Sequence, residues 1–291
     1  MQIAVLSGKG GTGKTTIAVG ISEVIKNSTK IDCDVDAANM HLFYTGEKIT
    51  KEEFHSGKKA YIEIDKCIKC NKCIENCKFD AISEYNNEYI IDTIKCEGCG
   101  VCNLVCPVEA VRLKENKVAD IMQVRLTDGK LVRADMEIGA DGSGKLITEL
   151  RKKADNNNIT IIDGSPGIGC SVIASIVGVN LCLIVIEPTV SGLSDLERIL
   201  KLVDSFKLKT LVCINKYDIN QDMTDNIKRY CEENNVEVIG LIPYDDAVIK
   251  SINELKPITR FHDSLAGKQV RNIAEKIIKI GGFENECSDS V

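Results

Sequence analysis

The chain has 291 residues, 44% of them hydrophobic, which is enough for one large domain or two smaller ones with a sizeable core. Its 37 basic and 43 acidic residues give a net charge of −6, so we expect no nucleic-acid partner. Fourteen cysteines without a secretory leader favour metal or catalytic chemistry in the cytoplasm over disulfides. The apolar stretch 172–186 is too short and too interrupted to span a bilayer, so it predicts a helix followed by a strand and no stable membrane anchor.

The amino-terminal residues predict a phosphate-binding loop. An apolar run at residues 3–6 leads into SGKGGTGKTT at residues 7–16, which fits G-x-x-x-x-G-K-[ST]. Glycines let backbone N–H groups face a polyphosphate, the lysine reaches the terminal phosphates, and the next hydroxyl faces Mg²⁺. A helix predicted at 15–26 argues against a simple Gly-rich linker. The predicted nucleotide-binding residues here are Gly8, Lys9, Gly10, Gly11, Thr12, Gly13, Lys14, Thr15 and Thr16.

Carboxylates follow the second predicted strand. Residues 30–39 contain a short strand that ends in several acids, at the edge of a parallel sheet where the phosphate-binding loop should also lie. A carboxylate in this place can position a water or Mg²⁺. We select Asp34 as the catalytic acid, while Asp32 or Asp36 could share the role and a solvated acidic turn is the alternative.

Two cysteine runs then form an internal repeat. Both have the spacing C-x-x-C-x-x-C-x-x-x-C, which holds [4Fe-4S] clusters in bacterial ferredoxins, where the fourth cysteine of each run binds the other cluster. The spacing therefore predicts two clusters. A zinc site is the alternative, but zinc ribbons take their ligands in pairs. The predicted ligands are Cys67, Cys70, Cys73 and Cys106 for cluster 1, and Cys96, Cys99, Cys102 and Cys77 for cluster 2.

Lysines surround the first run. Two oxidised clusters with their thiolates would bring the net charge from −6 to about −10, which these lysines could offset. They could also guide an acidic partner, or be an ordinary solvated surface. Lys78 stands where a proline follows the second run, which should change the turn more than the ligation. The four lysines are Lys66, Lys69, Lys72 and Lys78.

The chain returns from the cysteine-rich segment through a predicted hairpin. Residues 118–136 alternate in polarity around an Asp128-Gly129 turn. We therefore predict an inserted ferredoxin domain at 57–113, a discontinuous nucleotide-binding domain at 1–56 and 114–285, and a tail at 286–291. Residues 139–145 imitate the first loop but have no Ser or Thr after the lysine, so they predict the start of a helix at 146–154.

The remaining sequence alternates strands with helices. A buried strand at 159–163 ends in Asp163 and a glycine-rich turn, where an acid can hold a Mg²⁺ water and the amide of Gly167 can sense the terminal phosphate. Strands at 181–186, 210–214 and 237–241 alternate with helices at 193–206, 223–233 and 267–280. This order predicts an α/β fold with a mainly parallel sheet wrapped by helices.

Two later strand ends and the last helix also matter. Asn215 and Pro243 close strands where side chains can contact an adenine base. The helix at 267–280 is amphipathic, and we expect it to pack on the sheet rather than lie on a membrane. An acidic tail at 284–289 disfavours an anionic membrane surface.

The motif KGGTGKTT, with its additional lysine, resembles the deviant Walker A motif of the MinD/ParA/Mrp ATPases, a SIMIBI-class P-loop family, and of the nitrogenase iron protein. The cysteine runs narrow the resemblance to members with an inserted ferredoxin domain. The resemblance implies that Lys9 reaches the nucleotide of a partner subunit and that Thr15 and Asp163 hold Mg²⁺. The catalytic residues that it implies are Lys9, Lys14, Asp34 and Asp163. It also implies that Asn215 reads adenine.

The nitrogenase iron protein suggests one further site. The resemblance implies that Asp163 lies in the segment called switch II in that protein. There, a cysteine seven residues after the switch II aspartate binds a cluster shared between subunits, and Cys170 follows Asp163 by the same distance. A second ligand is not evident, and a small apolar role is the alternative. The C-x-x-C carrier motif of cluster-scaffold relatives is missing, since Cys231 and Cys287 are isolated.

Three functions follow from the resemblance. The first is an ATP-dependent switch, a homodimer or a heterodimer with a paralogue, that gates low-potential electron transfer to a partner metalloprotein. The second is an accessory protein for metallocluster assembly or insertion. The third is a positioning ATPase of the MinD type.

Overall fold

The structure is a computed structural model that describes residues 1–155 and 157–282. The predicted tail at 286–291, the acids at 284–289 and Cys287 lie outside the described residues. The strands and helices, in chain order, are β1 (Gln2–Leu6), α1 (Lys14–Val24), β2 (Thr29–Asp32), β3 (Glu47–Ile62), α2 (Lys72–Glu75), β4 (Ile82–Tyr85), β5 (Glu88–Ile91), α3 (Val101–Leu104), β6 (Val111–Arg125), β7 (Lys130–Met136), α4 (Ser143–Lys152), β8 (Thr160–Asp163), α5 (Cys170–Ile176), β9 (Leu181–Ile186), α6 (Val190–Ser205), β10 (Lys209–Asn215), α7 (Gln221–Glu233), β11 (Glu237–Ile242), α8 (Ala247–Asn253) and α9 (Leu265–Gly281).

The predicted α/β fold with a mainly parallel sheet is confirmed. The strand order in the sheet is β11-β10-β9-β1-β8-β2-β7-β6-β3, and the pairs from β11 to β7 are all parallel. The carboxyl ends of β1, β2 and β8 therefore meet at one edge, because parallel strands point the same way. The register pairs Asp32 of β2 with Asp163 of β8, which brings two predicted acids side by side.

The chain divides into two compact units. The first contains residues 1–51, 121–135 and 143–291, and the second contains residues 52–120 and 136–142. The second unit thus includes the predicted segment 57–113 and extends beyond both of its ends. Strands β3 and β6 explain the difference, since both are much longer than the sequence suggested and each contributes residues to both units.

The core of the first unit lies between the sheet and helices α1 and α9. Gly20 of α1 lets the two helices approach closely, because a Cβ at this position would lie 2.6 Å from Cγ1 of Val270. The apolar face of α9 is buried there, as expected for a helix that packs on the sheet. No helix in the described ranges is long and apolar enough to cross a membrane. The stretch 172–186 forms the end of α5 and β9, the predicted helix followed by a strand.

Several element bounds differ from the predictions for local reasons. Helix α6 begins at Val190, before the first apolar repeat, because the Thr189 hydroxyl accepts a hydrogen bond from the amide of Gly192 and caps the helix. Helix α4 begins at Ser143, three residues before the predicted helix at 146–154. The Gly-rich segment 139–145 therefore leads into a helix, as predicted. Strands β6 and β7 are joined at Asp128-Gly129, with Gly129 at a φ of 89°.

The second unit contains a hairpin and a small core. Strands β4 and β5 pair antiparallel through a turn at Asn86 and Asn87, which both have positive φ, as in the turns that suit two-residue hairpins. The core packs cysteines from both runs among apolar side chains, and its buried residues are Ala60, Cys73, Ala81, Ile82, Tyr89, Cys96, Cys102 and Val111.

Candidate functional site

The phosphate-binding loop connects the end of β1 to the start of α1. Two of its glycines are required by packing as well as by conformation. A Cβ at Gly8 would lie 2.2 Å from Cβ of Asp195, and one at Gly13 would lie 2.5 Å from Nδ2 of Asn215. Gly13 also has a φ of 87°, in the left-handed region. These contacts fix the loop against α6 and the end of β10.

Asp163 joins the two loop side chains that were predicted to face phosphate and Mg²⁺. Its Oδ1 lies 2.5 Å from Nζ of Lys14, and its Oδ2 accepts a hydrogen bond of 2.6 Å from the Thr15 hydroxyl. Asp34 is a weaker second partner of Lys14, at 3.8 Å. Burial disfavours the ammonium, but Asp163 outweighs it, so the pKa of Lys14 is raised. The site therefore holds a charged lysine beside a carboxylate and a hydroxyl.

The acids after β2 occupy different environments. Asp32 is fully buried and accepts hydrogen bonds from the amides of Asp34, at 3.2 Å, and Met40, at 3.0 Å. Burial, with a further contribution from Asp163, raises the pKa of Asp32 to about 7. Asp36 is exposed. Only Asp34 is both partly accessible and close to Lys14, which fits its selection as the catalytic acid.

The segment after Asp163 is bonded to both neighbouring loops. The Ser165 hydroxyl donates to the carbonyl of Cys33 at 2.6 Å, and the Gly167 amide donates to the carbonyl of Ser7 at 2.9 Å. The amide of Gly167, predicted to sense a phosphate, is therefore engaged with the phosphate-binding loop in this structure. Sequence reasoning missed Ser165, since a serine in a glycine-rich turn carries no distinctive pattern.

Lys9 points toward the first turn of α6. Its Nζ lies 3.5 Å from Oγ of Ser191 and 3.7 Å from Oε2 of Glu187, and its side chain is 39% exposed. Glu187 has a closer partner in Lys216, at 2.6 Å. Both contacts of Lys9 are long, so the side chain is weakly held beside the loop.

Asn215 is the last residue of β10 and Pro243 directly follows β11, so both lie at strand ends as predicted. The side-chain amide of Asn215 donates to the carbonyl of Thr12 at 2.8 Å, so here it braces the phosphate-binding loop. Pro243 is partly exposed and precedes Tyr244, whose amide donates to Asp218 at 2.7 Å. Adenine recognition by Asn215 and Pro243 remains a prediction.

The eight cysteines of the two runs line two separate cavities. Each cavity takes three cysteines from one run and the fourth from the other, which is the crossed arrangement predicted from the spacing. The cavities are similar in size, with a volume of about 20 Å³ each. The first is lined by Cys67, Cys70, Cys73 and Cys106, and the second by Cys96, Cys99, Cys102 and Cys77.

The two runs also share an unusual backbone. The residues on either side of the second cysteine have positive φ in both runs, as Lys69 and Asn71 in the first and as Gly98 and Gly100 in the second. The third cysteine of each run then lies on a one-turn helix, α2 or α3. Only two of these four left-handed residues are glycines, so the first run adopts the same path at a conformational cost.

Backbone amides donate hydrogen bonds to the fourth cysteine of each run. The amide of Ala81 lies 3.4 Å from Sγ of Cys77, and the amide of Ala110 lies 3.2 Å from Sγ of Cys106. Burial raises the pKa of the Cys106 thiol. The amide of Ala110 and the amides of its neighbours outweigh burial, so the pKa of Cys106 is lowered. Amide hydrogen bonds of this kind stabilise a thiolate ligand.

The cavities fit an iron–sulfur cluster better than a single metal ion. Within the described ranges, no three His, Cys, Asp or Glu side chains converge closely enough to hold one ion. A [4Fe-4S] cluster binds each cysteine through a different iron, so its ligands stand farther apart than those around zinc. The four cysteines and the apolar walls of each cavity suit a cluster.

Cys170 lines neither of the two cavities. It is the first residue of α5, and its side chain is exposed. The buried cysteines of the sheet and helices, by contrast, have the environment of small apolar side chains. Burial raises the pKa of Cys182 and Cys213 to about 12, and that of Cys231 to about 11. These three thiols are therefore protonated at neutral pH.

Comparisons with known proteins relate this chain to a family of nucleotide-binding domains. A sequence model of the CobQ/CobB/MinD/ParA nucleotide binding domain matches residues 3–258. An uncharacterized ATP-binding protein of Methanocaldococcus jannaschii is 31% identical over 296 residues, covering 96% of this chain and 98% of that protein. MinD from Pyrococcus horikoshii, a septum site-determining protein complexed with Mg-ADP, has a similar fold, with a TM-score of 0.61 and 16% identity over 98% of this chain and 99% of that chain.

A shorter similarity involves a different kind of protein. Pyruvate synthase subunit PorD of Methanothermobacter marburgensis is 39% identical over 59 residues, which cover 20% of this chain and 69% of that subunit.

Proposed function

The chain belongs to the CobQ/CobB/MinD/ParA family of nucleotide-binding proteins, and from this premise we propose that it is a MinD/ParA-type ATPase whose nucleotide state gates low-potential electron transfer. Its cofactors would be Mg²⁺ and two [4Fe-4S] clusters, and the electrons would pass to a partner metalloprotein. We propose residues 57–113 as the iron–sulfur domain and residues 1–56 and 114–285 as the ATPase domain.

The observation that carries the redox part is the division of eight cysteines into two cavities of four. A [4Fe-4S] cluster, when bound, accepts or donates single electrons at low potential. Cys67, Cys70, Cys73 and Cys106 would hold one cluster, and Cys96, Cys99, Cys102 and Cys77 the other. The apolar walls would limit water around each cluster, which is one of the factors that set its potential.

The nucleotide part rests on the position of Asp163. ATP phosphates would compete with this carboxylate for Lys14, since they carry more negative charge and would attract the ammonium more strongly. Asp163 would then turn to Mg²⁺ together with Thr15. Because Asp163 continues directly into residues 164–167, which are bonded to both neighbouring loops, a change at the phosphates would reach those loops.

We further propose an ATP-dependent dimer in which Lys9 contacts the nucleotide of the other subunit. The long contacts of Lys9 with Glu187 and Ser191 are worth about 1 kcal/mol or less in water, so releasing them costs little. The dimer could also form with a paralogue. The Cys170 bridging cluster is not part of the proposal, because no companion ligand supports it.

The test is EPR spectroscopy of the reduced protein in a redox titration with and without MgATP. Wild type should contain about eight irons, and MgATP should change the spectra or the midpoint potentials. Lys14→Ala is the control, since it should keep both clusters and lose the response to MgATP. Spectra and potentials indifferent to nucleotide, combined with rapid cluster transfer to an iron-free acceptor, would refute electron transfer.

That refuting result would favour the second candidate, an accessory role in metallocluster assembly or insertion. The exposed Cys70 and Cys99, one in each cavity, are the observation that favours it. Burial of Cys73, Cys96 and Cys102 favours resident clusters instead. A positioning ATPase is the third candidate, supported by the fold similarity to the septum site-determining protein MinD; cell fractions and imaging without any polar or septal pattern would exclude it.

A further inference from the structure

The two cysteine runs differ in charge at equivalent positions. The runs superimpose in sequence by a shift of 29 residues, which takes Cys67 to Cys96. Lys69 and Lys72 of the first run then correspond to Gly98 and Val101 of the second. Because the runs share their backbone path, the difference lies in the side chains and not in the fold.

The lysines of the first run flank its most accessible cysteine. Residues 68–72 are all exposed, with Cys70 at the centre, and Lys69 also lines the first cavity. Lys66 is held by an ion pair with Glu63. By contrast, neither Lys69 nor Lys72 forms an ion pair with any residue that the structure describes.

The second run presents a different surface. Its sequence from Cys96 to Cys106 contains no lysine or arginine. Glu97 lines the second cavity, and Leu104 is 84% exposed. Within the run, the exposed Cys99 therefore has an acidic residue and no basic one beside it, whereas the exposed Lys95 precedes Cys96 and the backbone of Lys58 lies against Gly98.

We propose that residues 68–72 are the docking site of a small acidic ferredoxin that delivers electrons to the chain. The inference rests on the proposed function, because it requires a cluster in the first cavity. In each encounter the reduced ferredoxin loses one electron and this chain gains one, and no bond or proton is exchanged. Glu97 would oppose the carboxylates of the same donor at Cys99, so we expect the first cavity to receive it in preference to the second, although Lys58 and Lys95 lie beside the second run.

Electrostatic range explains why two lysines can direct the donor. The whole chain has a net charge of −6, which repels an acidic protein. At an ionic strength of 0.1 M, charges more than about 10 Å apart are largely screened. Local charges therefore decide where an acidic surface makes contact, and Lys69 and Lys72, which have no ion-pair partner among the described residues, lie beside the exposed Cys70.

The experiment measures binding of a purified acidic [4Fe-4S] ferredoxin to the full chain with its clusters, and the rate at which the reduced ferredoxin reduces it. Lys69→Gln combined with Lys72→Gln should weaken binding about tenfold at low salt, a typical loss for two rim charges. The slope of affinity against salt concentration should also decrease. The matched control is Lys58→Gln combined with Lys95→Gln, which removes the same charge from exposed positions beside the second run and should leave binding near that of wild type.

The outcomes separate this inference from the proposed function. All variants should retain the iron content of wild type and full reduction by dithionite. If they do, and ferredoxin binding is unchanged or falls equally in both double variants, the docking site is refuted while the clusters stand. If wild type itself contains no iron, both the clusters and the docking site are refuted.

Discussion

The Lys14 ammonium lies 2.5 Å from the Asp163 carboxylate, and both side chains are almost completely buried. Each charge compensates the other where water cannot, so neither can be removed alone without leaving an unpaired buried charge. The same two groups are predicted to act on the nucleotide, Lys14 at its terminal phosphates and Asp163 at its Mg²⁺. Their contact therefore links the stability of the free protein to its capacity to bind ATP.

Lys14→Gln should reduce the free energy of unfolding by about 3 kcal/mol or more, because Asp163 is left without its cation. Urea unfolding measures this change, and a fluorescent ATP analogue should show loss of nucleotide binding. Combining Lys14→Gln with Asp163→Asn should restore much of the stability without restoring binding. Nucleotide binding at wild-type affinity in Lys14→Gln would contradict the assignment.

The free energy of unfolding should depend on pH through Asp32. Burial raises the pKa of Asp32 to about 7 in the folded protein, well above the ordinary pKa of an aspartate carboxyl. The folded protein therefore keeps a proton that the unfolded chain has lost, and its stability falls as pH rises from about 4 to about 7. The groups facing Asp32 are Asp163, Lys14 and the amides of Asp34 and Met40.

Asp32→Asn removes this titration. The variant should lose stability at pH 5, since its amide group replaces one acceptor oxygen, and should recover roughly 2 kcal/mol relative to wild type by pH 8. Urea unfolding at both pH values measures the difference. Asp36→Asn, at an exposed position of the same segment, is the control and should leave the pH dependence unchanged. Equal pH slopes for wild type and Asp32→Asn would contradict the prediction.

Local patterns were sufficient to predict the phosphate-binding loop, the parallel sheet and the cysteine groups, because each depends on spacing within a short segment. The loop needs small residues at Gly8 and Gly13, and the sequence shows both. The spacing of the runs also predicted that Cys106 would join the cysteines of the first run and that Cys77 would join those of the second. The two cavities have this arrangement, although each of these cysteines is distant in sequence from the run that it joins.

Features that depend on tertiary contacts could not be predicted in this way. Strand β3 has many charged residues and little apolar alternation, so most of its 16 residues show no pattern typical of a strand. Asp32 and Asp34 look equivalent in sequence, yet the strand register buries one beside Asp163 and leaves the other accessible. The contact between Gly167 and Ser7 likewise joins residues that are distant in the chain.

Single cysteine substitutions should divide into two groups according to cavity, not according to run. Cys106→Ala should have the same effect as Cys67→Ala, since both residues line the first cavity, and Cys77→Ala should match Cys96→Ala. Each variant should lose about half of the iron and one of two EPR signals. Cys170→Ala, outside both cavities, should lose neither. If Cys106→Ala resembles Cys96→Ala instead, the crossed arrangement is wrong.

Lys9→Ala should abolish ATP-induced dimerisation while leaving ATP binding by the monomer and both clusters intact. The physical reason is that Lys9 contacts Glu187 and Ser191 only loosely in its own chain, whereas Lys14 makes the buried contact with Asp163. Gel filtration with light scattering, with and without MgATP, measures the change. Lys26→Ala removes another exposed lysine, one whose partner is Asp128, and should dimerise like wild type. A Lys9→Ala protein that still dimerises with ATP would rule out a contact between Lys9 and the nucleotide of the other subunit.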